Sequence, residues 1–94
     1  MPSMYILECA DGSYYVGSTV NLDHRVWQHE VGEAAAYTRR RRPVRLVYFE
    51  HFDRVDDAYR REKQVQGWGR AKRRALIDNV GDQLLPTLSK KRFT

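Results

Sequence analysis

The segment Val55–Gln66 has the spacing of an amphipathic helix, with Val55, Ala58, Tyr59 and Val65 three and four apart along one stripe. Glu62 falls on the same stripe. A carboxylate turned toward the protein body is costly unless a cation compensates it, so an arginine, a lysine or a metal ion should lie beside it. Taken alone, an ordinary ion pair with Arg25 or a neighbouring lysine is the better account of it. A second predicted helix, Leu22 to about Glu30, buries Leu22 and Val26 and carries Arg25 and His29 four apart on the bordering strip. An arginine and a histidine on one edge can hold a phosphate and move a proton, but taken alone the pair is better read as two side chains of a surface helix.

Two tyrosines, Tyr5 and Tyr15, sit in segments rich in strand formers, and the turn between the strands decides whether they share a face. A two-residue Asp11-Gly12 turn puts them on opposite faces. A three-residue loop, Ala10-Asp11-Gly12 with Gly12 in the left-handed bulge position, puts Tyr5, Leu7, Tyr15 and Gly17 together. The second is favoured, although Asp-Gly is a strong signal for the first. Gly17 then marks a place where a missing side chain lets a backbone or ligand approach. Arg39, Arg40, Arg41 and Arg42 run consecutively between a helix and a strand, too many to be paired internally, and are expected to form a flexible basic lip. Trp68, between two glycines, is read as a core anchor without chemistry.

The elements that must position these residues follow from local signals. Met4–Cys9 and Tyr14–Ser18 form a hairpin; Asn21 caps the helix that follows, and Gly32 ends it. Residues 33–38 suit one further helical turn. Val44–Phe52 is the third strand, Asp53 is expected to cap the helix from Val55, and a last helix runs from Arg70 to about Asn79 with Gly81 beyond its end. The order ββαβαα describes an α+β fold, a three-stranded mixed or antiparallel sheet flanked by helices. Residues 1–80 make the domain, and 81–94 a basic tail expected to be mobile.

Composition narrows the classes. Ninety-four residues suit one domain, and 41% hydrophobic residues argue against wholesale disorder. The lone Cys9 has no disulfide partner and no companion for a zinc site, which fits a reducing cytoplasmic setting. The start of the chain lacks the pattern of a signal peptide, and no run approaches the roughly 20 apolar residues that span a bilayer. The net charge of +5 is clustered, in Arg39–Arg42 with Arg45, and in Arg70, Lys72, Arg73, Arg74, Lys90, Lys91 and Arg92. Such blocks suit a polyanion, because each phosphate neutralised releases counterions.

Ser3-Met4-Tyr5 and Tyr15-Val16-Gly17 resemble the two halves of the signature of the GIY-YIG endonuclease superfamily. Asn21 through His29 resembles the family's helix, in which a histidine follows an arginine by four. Tyr37-Thr38-Arg39, Arg42 through Tyr48 and Arg61 through Trp68 extend the likeness over about residues 3–78, toward small stand-alone bacterial members related to excision-repair nuclease subunits and intron homing endonucleases. The resemblance implies a metal-dependent endonuclease hydrolysing DNA phosphodiester bonds by a single-metal mechanism. Glu62 would be the sole protein ligand of one Mg2+ or Mn2+, and Arg25 would neutralise charge on the phosphorane. Tyr5 or Tyr15 would activate water with His29 assisting, the choice between them open. Gly17, Ser18, Arg39, Arg40, Arg41, Arg42, Arg45, Arg70 and Lys72 would contact DNA, with branched and single-stranded forms among the substrates. Ser-Met-Tyr in place of Gly-Ile-Tyr, the nine residues between the halves, and Ser18 where repair-type members carry lysine depart from the pattern. The competing reading is a non-catalytic basic nucleic-acid-binding module, and a third is a structural adaptor.

Overall fold

The structure, a computed structural model, describes the backbone of residues 1–84 and the side chains of residues 1–78. Three strands, β1 (Ser3–Glu8), β2 (Tyr14–Thr19) and β3 (Arg45–His51), form one wholly antiparallel sheet in the order β2-β1-β3. Four helices follow the chain: α1 (Leu22–Glu30), α2 (Ala36–Arg39), α3 (Val55–Gln66) and α4 (Arg70–Leu84). The α+β class holds, and the mixed-sheet option falls away. The expected extra helical turn is α2, slightly later in the chain than 33–38.

The hairpin adopts the three-residue loop. Gly12 N–H donates to the Cys9 carbonyl at 2.9 Å and Cys9 N–H to the Ser13 carbonyl at 2.8 Å, with Gly12 at φ +85°. Only glycine takes that left-handed conformation cheaply, so the bulge fixes the register. Tyr5 therefore faces Gly17 and Leu7 faces Tyr15, all four on one side. A shift in the β1–β3 register after Ile6 makes Val47 an extra residue, and Val47 and Tyr48 both enter the same core cluster.

Helices cover both faces. On the Tyr5 face, Leu22 and Val26 of α1 pack against Tyr5, Leu7, Cys9 and Val44. On the other, Val65 of α3 and Ile77 of α4 pack against Met4, Ile6, Val16, Val47 and Tyr48, with Trp68 partly buried beside them. The Asn21 side chain accepts from His24 N–H at 3.1 Å, and Gly32 at φ +83° closes α1, both as expected.

Three expectations need correcting. Asp53 does not cap α3: the capping position is Arg54, directly before the first helical residue, and it makes no side-chain cap bond. Asp56 and Asp57 in the first turn supply the negative charge there instead. Val55 and Tyr59 are 54% and 52% exposed, so the buried stripe of α3 runs through Ala58 and Val65. The last helix does not stop at Asn79 but reaches Leu84 with Gly81 inside it. One glycine weakens a helix without ending it. Residues 81–84 of the expected tail belong to α4, and the rest of it, with Lys90, Lys91 and Arg92, lies outside the described residues. Among the described residues, no helix is long and apolar enough to cross a membrane.

Candidate active site

The five side chains singled out for chemistry, Tyr5, Tyr15, Arg25, His29 and Glu62, gather where α1, α2 and α3 approach the free edge of β2. Tyr5, 1% exposed, lies across Gly17 on the neighbouring strand. A Cβ on Gly17 would stand 2.6 Å from the Tyr5 hydroxyl oxygen, so the group that exploits the missing side chain is this chain's own phenol.

The Tyr5 hydroxyl meets His29 Nε2 at 2.8 Å, and His29 Nδ1 meets Thr38 Oγ1 at 2.7 Å. The Thr38 hydroxyl donates to the Ala35 carbonyl at 3.2 Å, which leaves its oxygen to accept from Nδ1–H. The polarity of the chain follows. His29 carries its proton on Nδ1, and its Nε2 lone pair accepts from Tyr5. Helix α1 delivers His29 and β1 delivers Tyr5, while the short helix α2 supplies Thr38. His29 and Thr38 are wholly buried. Burial, with the Arg25 charge adding to it, lowers the His29 pKa to about 4, so the imidazole is neutral at neutral pH. Burial also pushes the Tyr5 phenol above its ordinary value, as does Tyr15, against the opposing pull of Arg25.

Tyr15 packs 4.9 Å from the His29 ring and 6.4 Å from the Tyr5 ring, centroid to centroid. It is half-buried, and its pKa is raised by burial and by Glu62. Arg25 lowers the pKa of both tyrosines and of His29, so its charge reaches all three. Its Nε is buried and, among the described residues, has no hydrogen-bond partner. An orphaned guanidinium N–H at such a place is a ready donor to an incoming anion.

Glu62 lies four residues after Ala58 and three before Val65, on the buried face of α3, with its side chain 12% exposed. Ser18 Oγ donates to its Oε1 at 2.5 Å and Gln66 Nε2 to its Oε2 at 2.7 Å. Lys63 Nζ stands 3.6 Å from Oε2, making the neighbouring lysine, rather than Arg25, the described ion partner. The same Gln66 amide donates to the Val16 carbonyl at 3.0 Å and ties α3 to the strand edge. Among the described residues, no three His, Cys, Asp or Glu side chains gather to hold a metal. Glu62 is a single carboxylate with oxygen-bearing neighbours.

The basic block divides. Arg41 Nε pairs with Asp11 at 3.1 Å and its guanidinium lies 3.8 Å from the Tyr37 ring centroid. Arg42 donates to the carbonyls of Arg39 and Glu30, and Arg45 grips Glu8 at 2.7 Å. The expected flexible lip is therefore a tethered turn, from which Arg39 and Arg40 project, exposed and without an ion pair among the described residues. Arg70 donates to the Gly12 carbonyl at 2.6 Å and covers the Tyr14 ring, while Lys72 lies 4.6 Å from the centroid of Trp68. Sequence reasoning passed over Thr38 and Gln66. Gln66 carried a signal, four residues after Glu62 on one helix face; Thr38 carried none of that kind.

The GIY-YIG catalytic domain model matches residues 1–75. The chain belongs to the GIY-YIG family. GIY-YIG proteins form a nuclease superfamily whose members act on nucleic acid and generally use a divalent metal. The GIY-YIG chain described here is 45% identical over 79 residues to a UPF0213 protein of Natronomonas pharaonis, covering 83% of this chain and 93% of the relative. A UPF0213 protein of Halobacterium salinarum is 43% identical over 82% of this chain and 100% of its own length. The solution NMR structure of a UPF0213 protein from Bacillus halodurans superposes with a TM-score of 0.58 at 37% identity, covering 100% of this chain and 98% of that one. Its relatives are thus small stand-alone GIY-YIG proteins, archaeal as well as bacterial.

Proposed function

We propose that this protein is a metal-dependent endonuclease that hydrolyses DNA phosphodiester bonds, activating water through Tyr5 and His29. The observation that carries the reading is the buried Tyr5–His29–Thr38 chain beside the unpartnered Arg25 Nε and the Glu62 carboxylate. A surface that only binds nucleic acid has no use for a neutral, oriented proton acceptor inside the fold.

Each side chain then has a task. Thr38 fixes the His29 tautomer, so that Nε2 takes the Tyr5 proton as the phenolic oxygen takes one from the attacking water. Tyr5 is preferred to Tyr15 because it alone of the two has an acceptor already at hydrogen-bond distance. Arg25 binds a non-bridging oxygen of the scissile phosphate and stabilises the charge that grows there. Glu62 fits a hard cation: a shielded carboxylate among oxygen donors suits Mg2+ or Mn2+, which keep several waters and need only one or two protein carboxylates. Bound at Glu62, such an ion would polarise the phosphate, stabilise the leaving oxygen and offset the field by which Glu62 raises both tyrosines. A raised phenol facing a depressed imidazole keeps the resting proton on Tyr5.

The test is nicking of plasmid and flapped DNA by the purified protein with Mg2+ or Mn2+ and with chelator. Cleavage that needs the metal and disappears in Glu62→Ala and Arg25→Ala is expected. Tight DNA binding without any cleavage by wild type would leave the non-catalytic binding module as the better reading.

A further inference from the structure

A cleft of about 400 Å3 opens beside the Tyr5–His29 chain, lined by Tyr14, Tyr15, Val16, Tyr37, Gln66 and Arg73. That volume is within the range of small-ligand sites, and three of its six lining residues are tyrosines. Two of these rings are backed by arginines that are themselves anchored to the hairpin loop. The Arg41 guanidinium lies against Tyr37 and is held by Asp11; that of Arg70 lies against Tyr14 and is held by the Gly12 carbonyl. The Tyr15 and Tyr37 rings stand 6.1 Å apart at 30°, so the aromatic wall is continuous with the proton chain through Tyr15. The Val16 carbonyl accepts from Gln66, so it points away from β1 into this edge. In an antiparallel strand the N–H of the same residue points the same way. The cleft therefore combines aromatic faces with polar groups fit for the edge of a planar heterocycle.

We propose that this cleft receives an unpaired nucleobase next to the scissile phosphate, so that the substrate is DNA with a single-stranded or flapped nucleotide at the cut rather than continuous duplex. The inference rests on the endonuclease reading and names its substrate class. Aromatic walls bind the faces of bases, and in a duplex those faces are occupied by neighbouring base pairs. Tyr15 lines the cleft and packs against His29 of the proton chain, so a base seated there leaves its own phosphate close to Arg25.

The test uses oligonucleotides carrying 2-aminopurine at successive positions, presented as single strand, flap and continuous duplex to the Glu62→Gln protein. Quenching confined to one position in the unpaired substrates, and absent in duplex, is expected. Adding Tyr37→Ala should weaken binding of the unpaired substrates by roughly 5- to 100-fold, with duplex binding unchanged and Tyr37→Trp restoring it. Quenching at no position, or equally at all, overturns the proposal. If the base is seated as expected but wild type cuts nothing, the cleft stands and the nuclease reading falls. If wild type cuts duplex as fast as single strand, and Tyr37→Ala changes neither rate, the cleft falls and the nuclease reading stands.

Discussion

Burial sets the protonation states from which the Tyr5–His29 chain starts. Because Tyr5, unlike Tyr15, has an acceptor in place, Tyr5→Phe should cut the single-turnover cleavage rate by about 10²–10⁴-fold. Tyr15→Phe should cost markedly less, and comparing the two rates at matched DNA occupancy checks the assignment. His29 gives a pH signature. Its folded pKa of about 4 lies below the unfolded value of about 6.5, so the unfolded chain binds more protons between them. The stability it contributes is present above about pH 6.5 and is lost as pH falls toward 4. Urea midpoints measured from pH 7 to 4.5 should fall more steeply for wild type than for His29→Gln. At this scale much was legible: Arg25 and His29 stood out by their four-residue spacing and Glu62 by its place on a buried face. Thr38 was not, because a threonine that fixes a tautomer leaves no periodic trace and becomes visible only when α2 folds back over α1.

At the scale of elements, the site depends on one glycine in an edge strand. Gly17 lets the Tyr5 ring cross β2, so Gly17→Ala forces the phenol or the strand to move. Its urea midpoint should show a loss of about 1–3 kcal/mol, the usual cost of overpacking, together with weakened cleavage. Strand pairing was readable because Gly12 permits the bulge that puts Tyr5 and Tyr15 on one face. The stripe of α3 was misread, since Val55 and Tyr59 match helical spacing yet point to solvent. Periodicity gives the phase of a helix only as well as its apolar residues are all buried, and the first two turns of α3 leave Val55 and Tyr59 exposed. Glu62 survived that error because Ala58 and Val65 share its face.

Across the whole molecule, the positive charge is more organised than its sequence clustering suggests. Arg41, Arg42, Arg45 and Arg70 hold the fold together, which leaves Arg39 and Arg40 as the free cations of the first block among the described residues. Replacing both with glutamine should lower the slope of log affinity against log salt by about 1–2, while Arg45→Gln should leave it nearly unchanged; fluorescence titrations across a salt series measure both. Linear order conceals this division, because Asp11 and Glu8 are far from their arginines in sequence and meet them only in the fold. In the proposed reading, Glu62 makes the basic, tyrosine-lined edge of β2 a catalyst and not merely a binding surface. Single-turnover cleavage of a labelled flap by wild type and Glu62→Gln, at saturating protein in Mg2+, tests it most directly. The variant should bind within a few-fold of wild type and cut at least about a hundredfold more slowly. Equal cutting by the two proteins would contradict it.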